Sequence, residues 1–144
     1  MKILFLCTGN FYRSRLAEEL MRNYSAQEGR DLLSDSAGLG PIPNPINIGP
    51  IRFEVIEYLK SRGMQPKGAK RFPKKCTVED IESSDIVIGM NEIEHRCMIE
   101  EQFSGIAREH VQYWHVPDME EDPDNVGPDL MDRNVRKLIK QLSS

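Results

Sequence analysis

The sequence predicts an α/β domain in which a parallel sheet carries helices on both faces, and three observations predict it. Short apolar runs read as strands buried on both sides. Between them, apolar residues recur at intervals of three and four, the spacing of amphipathic helices. The two patterns alternate along all 144 residues without linker, repeat or low-complexity stretch, so residues 1–144 are expected to form one domain.

Lys2 to Leu6 is the first strand signal. A helix follows from Ser14 to about Glu28, carried by Leu16, Ala17, Leu20, Met21 and Tyr24, with Gly29 as its stop. Leu32 to Ser36 reads as a second strand, and G-L-G-P-I-P-N-P-I-N-I-G-P as a loop. Ile51 to Arg62 returns to helical spacing. Thr77 is an expected N-cap, with Asp80 three residues on. Asp85 to Gly89 is a third buried strand and Asn91 to about Phe103 a helix. Val111 to Val116 is a fourth strand ending at Pro117, and a last helix runs from about Asp129 to Leu142.

The formal charge of −4 gives no basic face for a nucleic-acid partner, although a local nest of amides and arginines can still hold an anion. No apolar run approaches a membrane span, and I-L-F-L is too short for a signal-peptide core. Three cysteines argue against a disulfide scaffold and for a reducing compartment. The cytoplasm is therefore the expected location.

The stretch C-T-G-N-F-Y-R-S carries the chemistry. Cys7 stands at the carboxyl end of the first strand, where parallel sheets bind ligands. Gly9 and Asn10 suit the left-handed conformations of a tight curl, which turns the amides of Thr8, Gly9, Asn10, Phe11, Tyr12, Arg13 and Ser14 toward a phosphate-sized hollow at a helix start. Arg13 can grip two phosphate oxygens with its fork. The same field favours an ionised sulfur at Cys7, and Ser14 is placed to hydrogen-bond it. The alternative, a structural cysteine beside a surface arginine, leaves the strand, the Gly-Asn pair and the helix without a common purpose.

These residues resemble the low-molecular-weight protein tyrosine phosphatase family and its arsenate reductase relatives. The likeness is strongest in F-L-C-T-G-N-F-Y-R-S-R-L-A-E, good in D-S-A-G and S-S-D-I-V-I-G-M-N, and looser in Y-W-H-V-P-D. It implies a four-stranded parallel sheet of the Rossmannoid kind and a cysteinyl-phosphate mechanism without metal or cofactor. Cys7 is then the nucleophile, Arg13 the phosphate clamp and Ser14 the thiolate stabiliser, with Asn10 holding the loop and Ser36 supporting it. Implied partners are a phosphorylated protein or small aryl phosphate, and inorganic phosphate. A general acid is needed on a late loop. Asp118 has the expected spacing from Trp114, while Asp122, which precedes a proline as the family's acid does, is its rival.

The chain departs from the family at several points. Tyr12 stands where a second cysteine is common, and Arg15 where proline follows Arg-Ser. Residues 39–50 and 115–128 hold no aromatic to flank a phenyl ring, which leaves Phe11 as an apolar wall. Gly49-Pro50-Ile51-Arg52 replaces the usual Asp-Pro-Arg. The run 67–75, K-G-A-K-R-F-P-K-K, reads as a solvated loop and lacks the histidine that supports the catalytic loop in relatives. His95, His110 and His115 show no metal-ligand spacing with the cysteines and are expected at the surface.

Two other functions compete. Arsenate reduction needs a cysteine relay, but Met90 occupies the first relay position, leaving Cys97 at the second and Cys76 as a substitute only if the fold brings it close. A phosphocysteine carrier or phospho-binding protein would need no general acid.

Overall fold

The computed structural model describes residues 1–105 and 111–142. Its elements run β1 (Lys2–Cys7), α1 (Arg13–Gln27), β2 (Leu33–Gly38), α2 (Phe53–Ser61), α3 (Val78–Glu82), β3 (Ile86–Gly89), α4 (Glu92–Gln102), β4 (Val111–Tyr113) and α5 (Gly127–Leu142), with a 3₁₀ turn at Met119–Glu121 before α5. The four strands are parallel in the order β2-β1-β3-β4. His110 lies outside the described residues.

β1 is central, which explains its unbroken apolar run. Ile3 and Phe5 face one cluster with Leu16 and Leu20 of α1, Val55 and Leu59 of α2, and Met131 and Val135 of α5. Leu4 and Leu6 face the other, with Ile81 of α3 and Ile99 of α4. Each of these four side chains is fully buried, which stabilises the fold by about 1.5–3 kcal/mol apiece at most. The strand carrying Cys7 is thereby a firm platform.

The chain winds from β1 outward to β2 in one direction, then returns to place β3 on the other side of β1. That reversal opens a crevice at the carboxyl ends of β1 and β3, where α/β sheets bind their ligands.

The expected N-cap at Thr77 is present: Thr77 and Asp80 form a reciprocal capping box that starts α3, so the crossover from β2 to β3 contains two helices. In one informative place the structure differs from the sequence expectation. The fourth strand pairs only as far as Tyr113. Beyond it Trp114 and Val116 still donate to the carbonyls of Gly89 and Met90, at 2.9 and 2.8 Å. This keeps the chain beside the sheet while leaving the Val116 carbonyl for Arg13. Among the described residues no helix is long and apolar enough to cross a membrane.

Candidate active site

Between β1 and α1 the chain curls into a cup. The carbonyls of Cys7 and Thr8 accept from Leu39 and Gly40 N–H, both at 2.9 Å, that of Phe11 from Arg52 N–H at 3.0 Å, and that of Tyr12 from Leu16 N–H at 2.9 Å. The Asn10 carbonyl accepts from Arg15 Nη1 at 3.3 Å. Because N–H and C=O of a peptide point oppositely, carbonyls held from outside turn the amides inward, which builds an anion nest. Asn10 adopts φ of 50°, the left-handed turn that closes the curl. At Gly9 any Cβ would lie 2.9 Å from Asn47 Nδ2, so glycine lets the 40s loop close against the cup.

Behind the cup runs a chain of hydrogen bonds. Cys7 Sγ lies 2.9 Å from Ser14 Oγ, which accepts from Asn10 Nδ2 at 2.9 Å. Asn10 Nδ2 also donates to Ser36 Oγ at 2.9 Å, and Ser36 donates to Glu18 at 2.6 Å. Arg71 completes the network, its fork reaching Asn10 Oδ1 at 3.1 Å, Glu18 Oε1 at 3.0 Å and Ser36 Oγ at 2.8 Å. Lys74 N–H donates to the same Asn10 oxygen at 3.0 Å. Run 67–75 is therefore not the solvated loop expected of it. Lys67 and Lys70 are exposed, but Arg71 turns inward because buried Glu18 and Asn10 offer it acceptors.

Arg13 is buried and held from two sides. Nη1 donates to the Val116 carbonyl at 3.1 Å and Nη2 to Glu94 at 2.8 Å, while Asp118 Oδ2 lies 3.7 Å away. Of its five N–H donors these bonds use two, and Arg13 lines the cup beside Cys7. Burial opposes the Arg13 charge, but the Glu94 bond and the charges of Cys7, Glu94 and Asp118 outweigh it and raise its pKa.

The expectation that His95 is a surface residue is overturned: it is fully buried. Its Nδ1 accepts the Asn91 N–H at 3.0 Å, which leaves Nε2–H as the donor, 3.0 Å from Glu94 Oε2 and 3.1 Å from Thr8 Oγ1. Thr8 also donates to Glu94. The His95 bond, resisted by burial and joined by those of Arg13 and Thr8, holds the Glu94 carboxyl far below the usual range. His115, by contrast, is exposed as expected.

Arg15, the replacement for proline, is 1% exposed. Besides Asn10 its guanidinium donates to the carbonyls of Pro50, Gly68 and Arg71 at 2.8, 2.9 and 2.7 Å. Burial first, and then Arg71, lowers its pKa to about 10.

Asp118 and Asp122 are separated by the structure. Asp118 lines the cup with Cys7 and Arg13, and its Oδ1 accepts the Met119 N–H at 2.9 Å. Asp122 is buried away from it, accepting Val126 N–H at 2.9 Å and Gly127 N–H at 2.7 Å at the start of α5. Phe11, Tyr12, Arg52 and Glu120 complete the rim. Tyr12 is buried, its hydroxyl has no partner within the described structure, and burial, with Asp122 and Asp118 adding to it, pushes its pKa up to about 12.

All three cysteines are free. Cys7 and Cys76 lie in clusters on opposite faces of the sheet, and Cys97 is exposed. Burial first, then Asp80, pushes the Cys76 thiol up to about 12, far from the ready thiolate of an exchange relay. Among the described residues no group of three or more His, Cys, Asp or Glu could hold a metal ion.

A Rossmann-like sheet whose first strand ends in a thiol, set in a cup of inward amides under an arginine, defines a class of small cysteine phosphatases. The chain belongs to the low molecular weight phosphotyrosine protein phosphatase family, whose sequence model matches residues 2–143. It is 32% identical over 103 residues to a protein-arginine-phosphatase of Bacillus subtilis, a match covering 72% of this chain and 63% of the relative. To the low molecular weight protein-tyrosine-phosphatase YfkJ of the same organism it is 30% identical over 95 residues, covering 63% and 56%. The chain thus spans less than two thirds of the length of these two curated relatives. The YfkJ crystal structure superposes with a TM-score of 0.85 at 21% identity, over 99% of this chain and 94% of that one, a likeness of fold. A crystal structure of a YwlE mutant from Bacillus subtilis gives 0.80 at 27% identity, over 100% and 99%.

Proposed function

We propose that this chain is a phosphatase that hydrolyses phosphotyrosine in proteins through a phosphocysteine at Cys7, acting in the cytoplasm, where a free thiol stays reduced. The observation that carries the reading is Cys7 Sγ within 2.9 Å of Ser14 Oγ in a cup shared with Arg13 and Asp118.

The thiolate attacks phosphorus as the bond to the leaving oxygen breaks on the opposite side. Asp118, protonated, gives its proton to that oxygen, so the product leaves as a neutral alcohol or phenol. Amides of residues 8–14 and the free edge of Arg13 hold the three equatorial oxygens, where charge spreads in the transition state. Ser14 donates to the sulfur and so makes it a better leaving group in the second step. There the Asp118 carboxylate takes a proton from water, the water oxygen bonds to phosphorus, the S–P bond breaks, and inorganic phosphate departs. Asn10, Ser36, Glu18 and Arg71 keep the loop in shape from behind.

The test is hydrolysis of p-nitrophenyl phosphate by wild type and Cys7→Ser. The reading requires the wild type to turn over and the variant to be inert, and activity in the variant would overturn it.

A second reading replaces phosphotyrosine by phosphoarginine. Two carboxylates, Asp118 and Glu120, stand on the cup's rim, where a guanidinium leaving group would meet them, and one relative is a protein-arginine-phosphatase. Comparing kcat/KM for phosphotyrosyl and phosphoarginyl peptides of one sequence decides between them.

A further inference from the structure

The cup is small, about 60 Å³, and takes a phosphoryl group rather than the residue that bears it. Beside it lies a larger groove of about 310 Å³. Gly9 and Asn47 line both, so the two hollows share one ridge. Their chemistry differs. The cup offers Arg13, Arg52, Asp118 and Glu120, whereas the groove has, among the described residues, no charged side chain in its lining. It is walled by Ile42, Pro43, Pro45, Phe72 and Pro73, with Asn44 and Asn47 as its polar side chains.

We infer that this groove is an accessory subsite that seats an apolar side chain flanking the phosphorylated residue of a protein substrate. The inference rests on the phosphatase reading above and adds to it a preference for apolar neighbours. Its occupant follows from the shared ridge. A phosphorylated side chain with its phosphoryl group in the cup must emerge over the rim, and on the Asn47 side the peptide that follows it meets the groove. Only an apolar side chain gains by entering, because the walls offer little to a charged one.

The groove is also built beforehand. Its two walls come from the 40s loop and from residues 72–73, which are distant in sequence. Arg15 ties them to the catalytic loop, donating to the Pro50 carbonyl next to one wall, to the Arg71 carbonyl next to the other, and to Asn10 within the cup. Proline at positions 43, 45 and 73 fixes φ there, so little ordering remains to be done on binding. Phe72 is 64% exposed, and Ile46 and Ile48 on the same loop as the first wall are 83% and 86% exposed. These are large apolar surfaces that a substrate would cover.

The experiment uses pairs of phosphopeptides that differ only in leucine or serine near the phosphorylated residue, on either side of it. The phosphorylated residue is whichever of phosphotyrosine and phosphoarginine the enzyme hydrolyses faster. The readout is the leucine-to-serine ratio of kcat/KM measured on one enzyme, so any general loss of activity cancels. In wild type the ratio is expected to be about fivefold or more for at least one side, the worth of a partly buried leucine. Phe72→Ser should bring it toward unity, and Phe72→Leu should keep most of it. A wild-type ratio near unity on both sides, or one that Phe72→Ser leaves intact, overturns the proposal. So does a ratio near unity joined to a concentration-dependent dimer that Phe72→Ser dissolves, which assigns the groove to a second copy of the chain. Failure of the phosphatase reading looks different: p-nitrophenyl phosphate is then not hydrolysed, or Cys7→Ser still hydrolyses it.

Discussion

Replacing Arg71 by leucine should both soften the fold and slow the chemistry, although Arg71 does not line the cup. The guanidinium gives Asn10 Oδ1 a bond of 3.1 Å, Glu18 Oε1 one of 3.0 Å and Ser36 Oγ one of 2.8 Å. Its loss does not orphan the buried Glu18 carboxylate, which keeps Arg22 at 2.5 Å and the Ser36 hydroxyl at 2.6 Å. Asn10 Oδ1 likewise keeps Lys74 N–H. The cost is therefore below the roughly 3–5 kcal/mol of breaking a buried pair outright. All three bonds have the ionised guanidinium as donor, but Arg71 is 29% exposed and its partners keep other contacts, which leaves about 2–3 kcal/mol. In a chain of this size that lowers the melting temperature by about 5–10 °C. Asn10, held at a left-handed φ by these contacts, then relaxes and misplaces the Ser14 hydroxyl, so kcat on an aryl phosphate should fall by about 10- to 100-fold. Inhibition by inorganic phosphate should weaken in parallel. Arg71→Lys, which keeps the charge but loses the fork, should fall between. The assays are a thermal melt and steady-state hydrolysis with phosphate as inhibitor. An Arg71→Leu protein with wild-type melting and an unaltered phosphate inhibition constant would refute the reasoning.

Three further outcomes follow from the site. Asp118→Asn should slow hydrolysis of substrates with poor leaving groups by about 10²–10⁴-fold, and much less for a good leaving group, as a series of aryl phosphates would show. Asp122→Ala removes the acceptor at the start of α5 and should cost about 1–2 kcal/mol of stability in denaturant titration while keeping the leaving-group dependence of wild type. Glu94→Gln should destabilise at neutral pH by about 1–2 kcal/mol, discounted because the carboxylate is 34% exposed. Since the folded state holds Glu94 below its ordinary value of 4.5, this contribution is complete above that pH and fades as pH falls through the folded value. Melts of the two proteins should therefore converge in acid, and a constant gap down to low pH would speak against the ion pair.

What the sequence shows of this site is what is contiguous. Cys7 to Ser14 carries its strand, turn and helix signals within one short stretch, and the periodicity of Leu16, Leu20 and Val55 places the layers. The supporting residues are invisible because distant loops make them. Arg71 and Arg15 look like surface charge, and only the meeting of α1 with residues 66–72 buries Arg15 and turns the half-buried Arg71 inward. His95 carries no sequence signal of burial, since it has no metal-ligand spacing with the cysteines, yet it lies one turn from Asn91, whose N–H pins it inward. Glu94 stands beside it with no local sign that Arg13, 81 residues away, will find it. The Asp118–Asp122 ambiguity has the same origin, since both lie in one acidic stretch and only the fold shows that Asp122 is taken up by N–H groups at the start of α5 while Asp118 lines the cup.

The most direct measurement is to quench the reacting enzyme in acid and weigh its peptides. With Asp118→Asn, which delays the water step, the peptide containing Cys7 should carry one phosphoryl group on sulfur, and Arg13→Ala should not accumulate it. Turnover with no phosphoryl group on Cys7, or with the group on another residue, would contradict the account.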